Sequence, residues 1–127
     1  MKLTKEMKDM IKSQLGYMAT VDEEGNPNIG PKRSIRVLDD ERLIYAENTN
    51  GQHHKNIKNN GKVAIVFIDW ENNKGFRFTG KAVSYTDQDK LDLAKEIIGT
   101  EPKAATIIID IEKTFTMDSG PKAGKQI

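Results

Sequence analysis

The sequence predicts a mainly β protein, an antiparallel barrel of about six strands with a few helices. Several segments alternate apolar and polar residues with a period of two, which is typical of strands that have one polar face. Short runs rich in Asp, Glu, Asn and Gly separate these segments. Such turns join antiparallel strands, whereas a doubly wound parallel sheet needs long crossovers. The 127 residues are enough for a single domain, residues 1–127, with a buried core.

The first half of the chain predicts a helix and then three strands. Apolar residues at helical spacing indicate an opening amphipathic helix that Gly16 ends: Leu3, Met7, Met10, Ile11 and Leu15. The strands that follow are Tyr17–Val21, Ile29–Val37 and Arg42–Ala46. In the second of them, apolar and polar residues alternate throughout, so we expect one continuous strand with a polar face. A short acidic turn, residues 39–41, makes the last two strands a hairpin.

The second half of the sequence predicts, in order, a helix, two strands, a second helix and a closing strand. A short polar helix spans Gln52 to Asn60 and carries Ile57 inward. The apolar run from Lys62 to Ile68 indicates a strand covered on both faces. The long strand from Gly75 to Tyr85 contains Gly80, which predicts a bulge or a close backbone approach. The remaining features are a turn around Trp70, a helix capped by Thr86 with Leu91, Ala94 and Ile98 on one face, a strand from Thr106 to Phe115, and a mobile tail over residues 118–127.

Composition excludes several classes of function. The 20 Lys and Arg residues nearly balance 19 Asp and Glu residues, so bulk attraction to nucleic acid or to an anionic membrane has no support. There is no cysteine, which excludes disulfides, thiolate metal sites and a cysteine nucleophile. The N-terminus has no apolar run of the kind a signal peptide needs, and no stretch is apolar enough to span a membrane. We therefore expect a cytoplasmic protein.

The strongest functional signal is a pair of neighbouring polar segments. Lys32, Ser34 and Arg36 are predicted to project from one strand face, and a helix soon afterwards begins with Gln52 and His53. The first amides of a helix have no intrahelical partner and carry partial positive charge, so they suit a phosphate group. Basic side chains from a neighbouring strand would complete such a site. From the residues alone, a merely solvated polar face remains the alternative.

Three stretches of the chain resemble the FMN-binding split barrels of the pyridoxamine 5′-phosphate oxidase-like family. They are the opening hairpins (Tyr17-Met-Ala-Thr-Val, Gly25-Asn-Pro-Asn and Arg42-Leu-Ile-Tyr-Ala), the helix and strand Gln52-His-His-Lys-Asn-Ile-Lys-Asn-Asn-Gly-Lys-Val63, and the long strand Gly75-Phe-Arg-Phe-Thr-Gly-Lys-Ala82. The stretches follow one another in the family's order from Leu15 to Tyr85. The resemblance implies a split barrel that binds FMN.

The resemblance also implies which residues hold the FMN phosphate. Arg36, Gln52 and His53 fall at the family's phosphate-binding positions. The family often has Arg-Lys or Lys-Thr where this chain has Gln52 and His53. A histidine can still donate a hydrogen bond to phosphate, although it is charged only when protonated.

The isoalloxazine ring and the ribityl chain would meet other positions. By the resemblance, one stretch lines the ring and turns backbone amides toward its polar edge: Lys32, Arg33, Ser34 and Ile35. Asn48 and Gly75 fall where the family approaches the ring or the ribityl chain. Gly75 replaces a side chain that reaches the flavin in the oxidases, so a contact there would be made by backbone.

We expect a flavoprotein with oxidoreductase activity, in which FMN carries hydride or electrons and the protein supplies position and charge. A true pyridoxamine phosphate oxidase is less expected, because that family carries a C-terminal substrate motif with Arg and His that is not seen here. A non-catalytic flavin-binding or electron-carrier module, or a split barrel that binds another anionic ligand, stays an alternative. Members of the superfamily also bind deazaflavin or haem. The residues name neither the electron donor nor the acceptor.

The resemblance further implies a homodimer whose interface helps to form both flavin sites. The apolar runs Val63–Ile68 and Ile107–Ile111 could supply the surface. A metal site at His53 and His54 is not expected, since adjacent residues on a helix point apart.

Overall fold

The computed structural model describes residues 2–127, and the order of elements agrees with the prediction. Three helices and seven strands form within this part of the chain: α1 (Lys5–Ser13), β1 (Gly16–Val21), β2 (Pro27–Lys32), β3 (Arg36–Val37), β4 (Arg42–Glu47), α2 (Gln52–Asn59), β5 (Lys62–Asp69), β6 (Lys74–Tyr85), α3 (Gln88–Ile98) and β7 (Ala105–Thr116).

All seven strands belong to one antiparallel sheet with the order β2-β1-β5-β6-β7-β4-β3. Strands β2 and β3 are consecutive in the chain but form opposite edges of this sheet, and only residues 33–35 connect them. Four residue steps span at most about 14 Å, so the sheet must curl until its two edges nearly meet. The curled sheet leaves a gap between β2 and the β3–β4 edge, here called the split. The predicted split barrel is confirmed.

The predicted continuous strand from Ile29 to Val37 is wrong. Pairing with β1 ends at Lys32, residues 33–34 form a turn, and residues 36–37 pair with β4 at the other edge. The alternating pattern was therefore shared by two separate short strands and the link between them. As a consequence, the three polar side chains singled out in this stretch do not project from one strand face.

The main core fills the inside of the curled sheet. Helices α1 and α2 cover this core, α1 with a stripe of buried methionines and an isoleucine and α2 with Ile57, as predicted. A smaller cluster lies on the outside, where Ala94 of α3 packs against Ile44 of β4 and Ile108 of β7. The inner face of the sheet and one patch of its outer face are thus covered within the chain.

Burial in β5 and β7 differs from the prediction. Side chains of β5 alternate between buried and partly exposed, so only one face of this strand is covered. In β7, Ile107 and Ile109 face the core while Ile108 packs under α3, so β7 is the strand covered on both faces. The three isoleucines are therefore buried within one chain, and they do not provide the dimer surface expected from Ile107–Ile111.

Local predictions around β6 were partly right. The sheet register shifts between Thr79 and Gly80, which confirms the bulge. A Cβ at Gly80 would lie 1.9 Å from the carbonyl oxygen of Asp110, so β7 approaches too closely for any side chain there. The predicted cap Thr86 is wrong by one residue, since the side chain of Asp87 accepts the hydrogen bond from the Lys90 amide at the start of α3.

The C-terminal tail folds back along β7. The amide of Thr116 donates to the carbonyl of Lys125, and that of Ile127 donates to the carbonyl of Thr114. These bonds define a path for the tail, and the mobility expected for residues 118–127 stays a prediction. Across residues 2–127, no helix combines the length and apolarity needed to cross a membrane.

Candidate functional site

Three polar side chains meet inside the barrel at the split. Lys32 is the last residue of β2, and its Nζ lies 3.7 Å from Oε1 of Glu47 and 5.0 Å from the centroid of the Tyr45 ring. Tyr45 and Glu47 follow the core residue Leu43 at intervals of two residues along β4, so all three side chains point inward. Glu47 is only 1% exposed and Tyr45 is fully buried. The ion pair thus links the β2 edge of the split to the opposite side.

Glu47 is held by backbone as well as by charge. Its Oε2 accepts hydrogen bonds from the amides of Thr49 at 3.1 Å and Asn50 at 2.8 Å, and from the Thr49 hydroxyl at 3.2 Å. Burial acts to raise the pKa of Glu47, but Lys32 and these two amides together hold the pKa below its ordinary value. The carboxyl is therefore ionised at neutral pH. Burial, and secondarily the charge of Glu47, raises the pKa of Tyr45 far above its usual range.

His53 lies at the start of α2, at the same end of the barrel as Lys32, Tyr45 and Glu47. This end is called the barrel mouth. Its Nδ1 is 2.7 Å from Oγ1 of Thr20, which also accepts a hydrogen bond from Nδ2 of Asn56 at 3.0 Å. The Thr20 hydroxyl has no other acceptor among residues 2–127, so it donates to Nδ1 and leaves the imidazole proton on Nε2. Burial, and then the charge of Lys32, lowers the pKa of His53, which favours this neutral form.

The mouth of the barrel contains polar atoms that lack partners. The Tyr45 hydroxyl, Glu47 Oε1 and His53 Nε2 are buried without a hydrogen bond to any described residue. Native proteins leave few such atoms, because an unmade hydrogen bond in the interior costs about 1–3 kcal/mol. Their concentration beside Lys32 marks this end of the barrel as the candidate site.

Backbone amides are also free on both sides of the split. Within the described chain, no acceptor is bonded to the amides of residues 33–35 or to those of residues 52–54. The N-cap residue of helix α2 is Gly51, which supplies no side-chain cap, and the first turn of the helix has no acidic residue. Two groups of N–H donors therefore lack partners among the described residues, one in the β2–β3 link and one at the start of α2.

The structure places the other predicted site residues as follows. Arg33 is exposed, Ile35 is a core residue that is 3% exposed, and Ser34 is hydrogen-bonded through its Oγ to the backbone of Ala46. Arg36 donates through one guanidinium nitrogen to the carbonyls of Arg33 and Ile35, so it braces the link. In this stretch, Ile35 can therefore reach a ligand only through its backbone.

The remaining predicted positions lie on three other segments. Gln52 is exposed at the start of α2, and its Nε2 donates to Oδ1 of Asn56. Asn48 is exposed in the loop before α2, where its Oδ1 accepts a bond from the Lys103 amide. Gly75 lies in β6, separated from β2 by β1 and β5, and its amide donates to Asp118. Within one chain, Gly75 is not brought together with Lys32 and His53.

Sequence reasoning missed the role of Glu47 and the burial of His54. The predicted strand Arg42–Ala46 stops one residue before Glu47, although the alternation of Leu43, Tyr45 and Glu47 extends the strand period by one step and points the carboxyl inward. His54 is 4% exposed, with its two ring nitrogens bonded to Asn50 Oδ1 and to Ser84 Oγ. Nothing in the local pattern distinguishes it from a surface histidine, because Ser84 is distant in sequence.

Comparisons with known proteins agree with this fold. A family model described as pyridoxamine 5′-phosphate oxidase matches residues 3–118. An uncharacterized protein of Methanocaldococcus jannaschii is 32% identical over 99% of this chain and 88% of its own length. The crystal structure of HupZ from Group A Streptococcus is 47% identical, with a TM-score of 0.86 over 96% of this chain and 99% of that one. An FMN-binding protein of Syntrophomonas wolfei shares the fold at 17% identity, with a TM-score of 0.74 over 90% and 85% of the two chains.

Proposed function

The chain belongs to the pyridoxamine 5′-phosphate oxidase family, and we propose that it binds FMN at the split and acts as an oxidoreductase through it. The observation that carries the proposal is the start of α2, an uncapped helix end beside a basic and polar barrel mouth. An uncapped N-terminus combines free amides with the positive end of the helix dipole, which is the environment that a phosphate group prefers.

The donors on the two sides of the split would serve the two polar ends of FMN. The amides of residues 52–54, with the side chains of Gln52 and His53, would hold the phosphate. The amides of residues 33–35 would face the polar edge of the ring, while the exposed guanidinium of Arg33 adds positive charge nearby. The carboxylate of Glu47 in the mouth is already paired with Lys32, so it does not present an uncompensated negative charge to the phosphate.

FMN supplies the redox chemistry when it is bound, since its ring can accept and donate hydride or single electrons. The contribution of the protein is position and electrostatics. The Arg36 bonds brace the link that carries the ring-facing amides, and the Asn56–Thr20 chain keeps the His53 proton on Nε2. Positive charge from Arg33 near the ring would stabilise the anionic reduced flavin and raise its reduction potential.

The test is a titration of the purified protein with FMN, followed by its visible absorption, with the bound cofactor identified by mass after denaturation. We expect one flavin monophosphate per chain. Oxidation of a reduced nicotinamide by the loaded protein would then separate an oxidoreductase from a flavin-binding or electron-carrying module. Absence of binding at excess FMN would refute the proposal and favour a different anionic ligand.

We also propose that two copies of the chain form a homodimer through the outer face of β1, β2 and β5. Apolar side chains stand open on this face, with Tyr17 45%, Ile29 70% and Ile68 38% exposed. Strand pairing places them on one face of three neighbouring strands, because Ala19 is the neighbour of Ile29 and Tyr17 is the neighbour of Val66. Isolated apolar residues on a surface are common, whereas a continuous patch of this kind usually marks an interface.

The partner would lie close to the flavin, because β2 forms both this face and one edge of the split. Light scattering at micromolar concentration should therefore report a dimer. The variant Ile29→Glu should be monomeric, while Ile127→Glu, a change at another exposed isoleucine, should leave the dimer intact. A monomeric wild-type protein with flavin bound would refute this assembly.

A further inference from the structure

The loop that leads into α2 donates two of its backbone amides to a buried carboxylate. Residues 48–51 are largely exposed, yet the amides of Thr49 and Asn50 both donate to Oε2 of Glu47. The chain therefore folds back on the end of β4 before the helix begins. This tight reversal sets the position of Gly51 and of the free amides that follow it.

Asn50 is held through both its backbone and its side chain. Its backbone occupies the left-handed region with φ of 52°, a conformation that asparagine tolerates better than most residues. Its amide is bonded to Glu47, and its Oδ1 accepts from Nδ1 of His54, whose other nitrogen is bonded to Ser84 in β6 at 2.7 Å. Glu47 and His54 thus hold the loop from two sides.

The second carboxylate oxygen of Glu47, Oε1, forms an ion pair with Lys32 and no hydrogen bond to the described residues. Oε1 has no hydrogen-bond partner in residues 2–127, and the ammonium of Lys32 lies 3.7 Å away, within ion-pair distance. The three hydrogen bonds to the loop all fall on the other oxygen, Oε2. Here one oxygen neutralises Lys32 and the other organises the loop, so the two tasks are separable by substitution.

We propose that Glu47 is a positioning residue of the phosphate site, which acts by holding the 48–51 loop so that the first amides of α2 face the split. This inference rests on the proposed function for the identity of the ligand, and on the hydrogen bonds of Glu47 for the mechanism. Glu47 does not itself contact the phosphate. Its negative charge would weaken phosphate binding if it acted by charge, so the two roles predict effects of opposite sign.

Two substitutions separate these roles. Glu47→Ala removes the acceptor of the loop amides together with the charge. Glu47→Gln removes the charge and can keep a carbonyl oxygen against the same amides. We expect Glu47→Ala to weaken FMN binding at least about tenfold. A loss of this size corresponds to the net contribution of roughly one hydrogen bond to a charged group. Glu47→Gln should bind FMN as tightly as the wild-type protein or more tightly, because Lys32 is then unpaired.

The comparison ligand is riboflavin, which lacks the phosphate. Its affinity should change by less than about threefold in both variants, because the ring-facing amides lie on the other side of the split. Equal losses for FMN in the Ala and Gln variants, or tighter FMN binding by Glu47→Ala, would overturn the inference. Equal losses for FMN and riboflavin would do the same, since they would mean that Glu47 supports the whole fold.

Removal of one member of a buried ion pair can prevent folding, so a milder variant accompanies these two. Thr49→Val removes only the partly buried hydroxyl bond to Oε2 of Glu47 and keeps the side-chain shape. It should weaken FMN binding about two- to fivefold, again with little change for riboflavin. No change for FMN in a folded Thr49→Val protein, together with an unfolded Glu47→Ala protein, would count against the inference.

Hydrogen exchange of the Thr49 and Asn50 amides provides a readout that needs no flavin. We expect both amides to be protected in the wild-type and Glu47→Gln proteins and to exchange rapidly in Glu47→Ala. If wild-type protein fails to bind FMN while this protection pattern is found, the proposed function is refuted and the anchoring of the loop stands. If FMN binds but Glu47→Ala keeps the protection, the positioning role is wrong and the proposed function stands.

Discussion

Helices α2 and α3 both pack on the same curled sheet, but their N-termini are built in opposite ways. In α3, the side chain of Asp87 accepts the hydrogen bond from the Lys90 amide, and Asp89 adds negative charge to the first turn. Helix α1 is capped similarly by Thr4, whose side chain accepts from the Met7 amide. The N-cap residue of helix α2 is Gly51, which supplies no side-chain cap, and the first turn of this helix has no acid.

The start of α2 is therefore not optimised for the stability of the helix alone. A capping side chain stabilises a helix by about 0.5–2 kcal/mol, and two of the three helices use one. There is room for a cap at α2, because a Cβ at Gly51 would meet only Thr49 Oγ1, at 3.7 Å. The backbone of Gly51, with φ of −92°, also suits any residue. Because no side chain caps this end of α2, its first backbone amides are available to a ligand.

The largest effect should come from giving α2 the cap that α3 has. Gly51→Asp places a carboxylate over the amides and against the phosphate, so FMN affinity should fall about ten- to a hundredfold, or about 1.5–3 kcal/mol. The same change should raise the free energy of unfolding by a few tenths to about 1 kcal/mol, through the cap and the helix dipole. Flavin titration and urea denaturation measure the two effects.

The matched control is Gly51→Ala, which adds a Cβ without an acceptor. It should keep most of the FMN affinity and should not raise stability. Riboflavin binding should be nearly unchanged in both variants. If Gly51→Asp binds FMN as well as the wild-type protein does, the phosphate does not lie at the start of α2.

Removal of the cap from α3 should have an effect of intermediate size, and it should lower stability without changing FMN affinity. Asp87→Ala leaves the Lys90 amide without its side-chain acceptor, so the free energy of unfolding should fall by about 1 kcal/mol. The affinity for FMN should not change, because this helix packs on the outer side of β4 and β7. Loss of FMN binding by a folded Asp87→Ala protein would break the distinction between the two helix ends.

The smallest effect should be a pH dependence from the histidines of α2. Burial lowers the pKa of both His53 and His54 below the ordinary value of 6.5. The unfolded chain therefore binds protons as the pH falls through about 6.5 while the folded chain does not, so stability is full above that pH and declines below it. Urea denaturation at about pH 7.5 and about pH 5.5 should show this decline, since carboxylates remain ionised in that window.

The double variant His53→Gln/His54→Gln is the control for this prediction. It should be less stable than the wild-type protein but should lose most of the decline between the two pH values. An equal decline in the double variant would assign the pH dependence to other groups.

Much of the fold could be predicted from the sequence, because strand and helix periods are local properties. The helix at Gln52, the bulge at Gly80 and the barrel architecture all followed from spacing and from glycine. The break at residues 33–35 could not be predicted, because the alternation continues through the link and only the sheet order reveals two edges. A short edge strand such as β3 has almost no pattern of its own.

The two segments of the proposed site follow from the family resemblance, whereas the partners of their side chains do not. The resemblance to the family located the β2–β3 link and the start of α2, which the structure sets on two sides of the split. The partners of Lys32 and His53 are Glu47 and Thr20, which come from other strands. Such pairings depend on tertiary packing, and neither residue lies in a segment with a recognisable chemical motif.

An amide chemical-shift map of ¹⁵N-labelled protein titrated with FMN would locate the proposed flavin site residue by residue. We predict that the largest shifts fall on residues 33–35 and 52–54, with residues 88–90 at the start of α3 nearly unchanged. Inorganic phosphate alone should shift only the second of these groups. A map centred elsewhere, for example on the surface cavity of about 530 Å³ lined by Lys58, Gly61 and Lys81, would contradict the account.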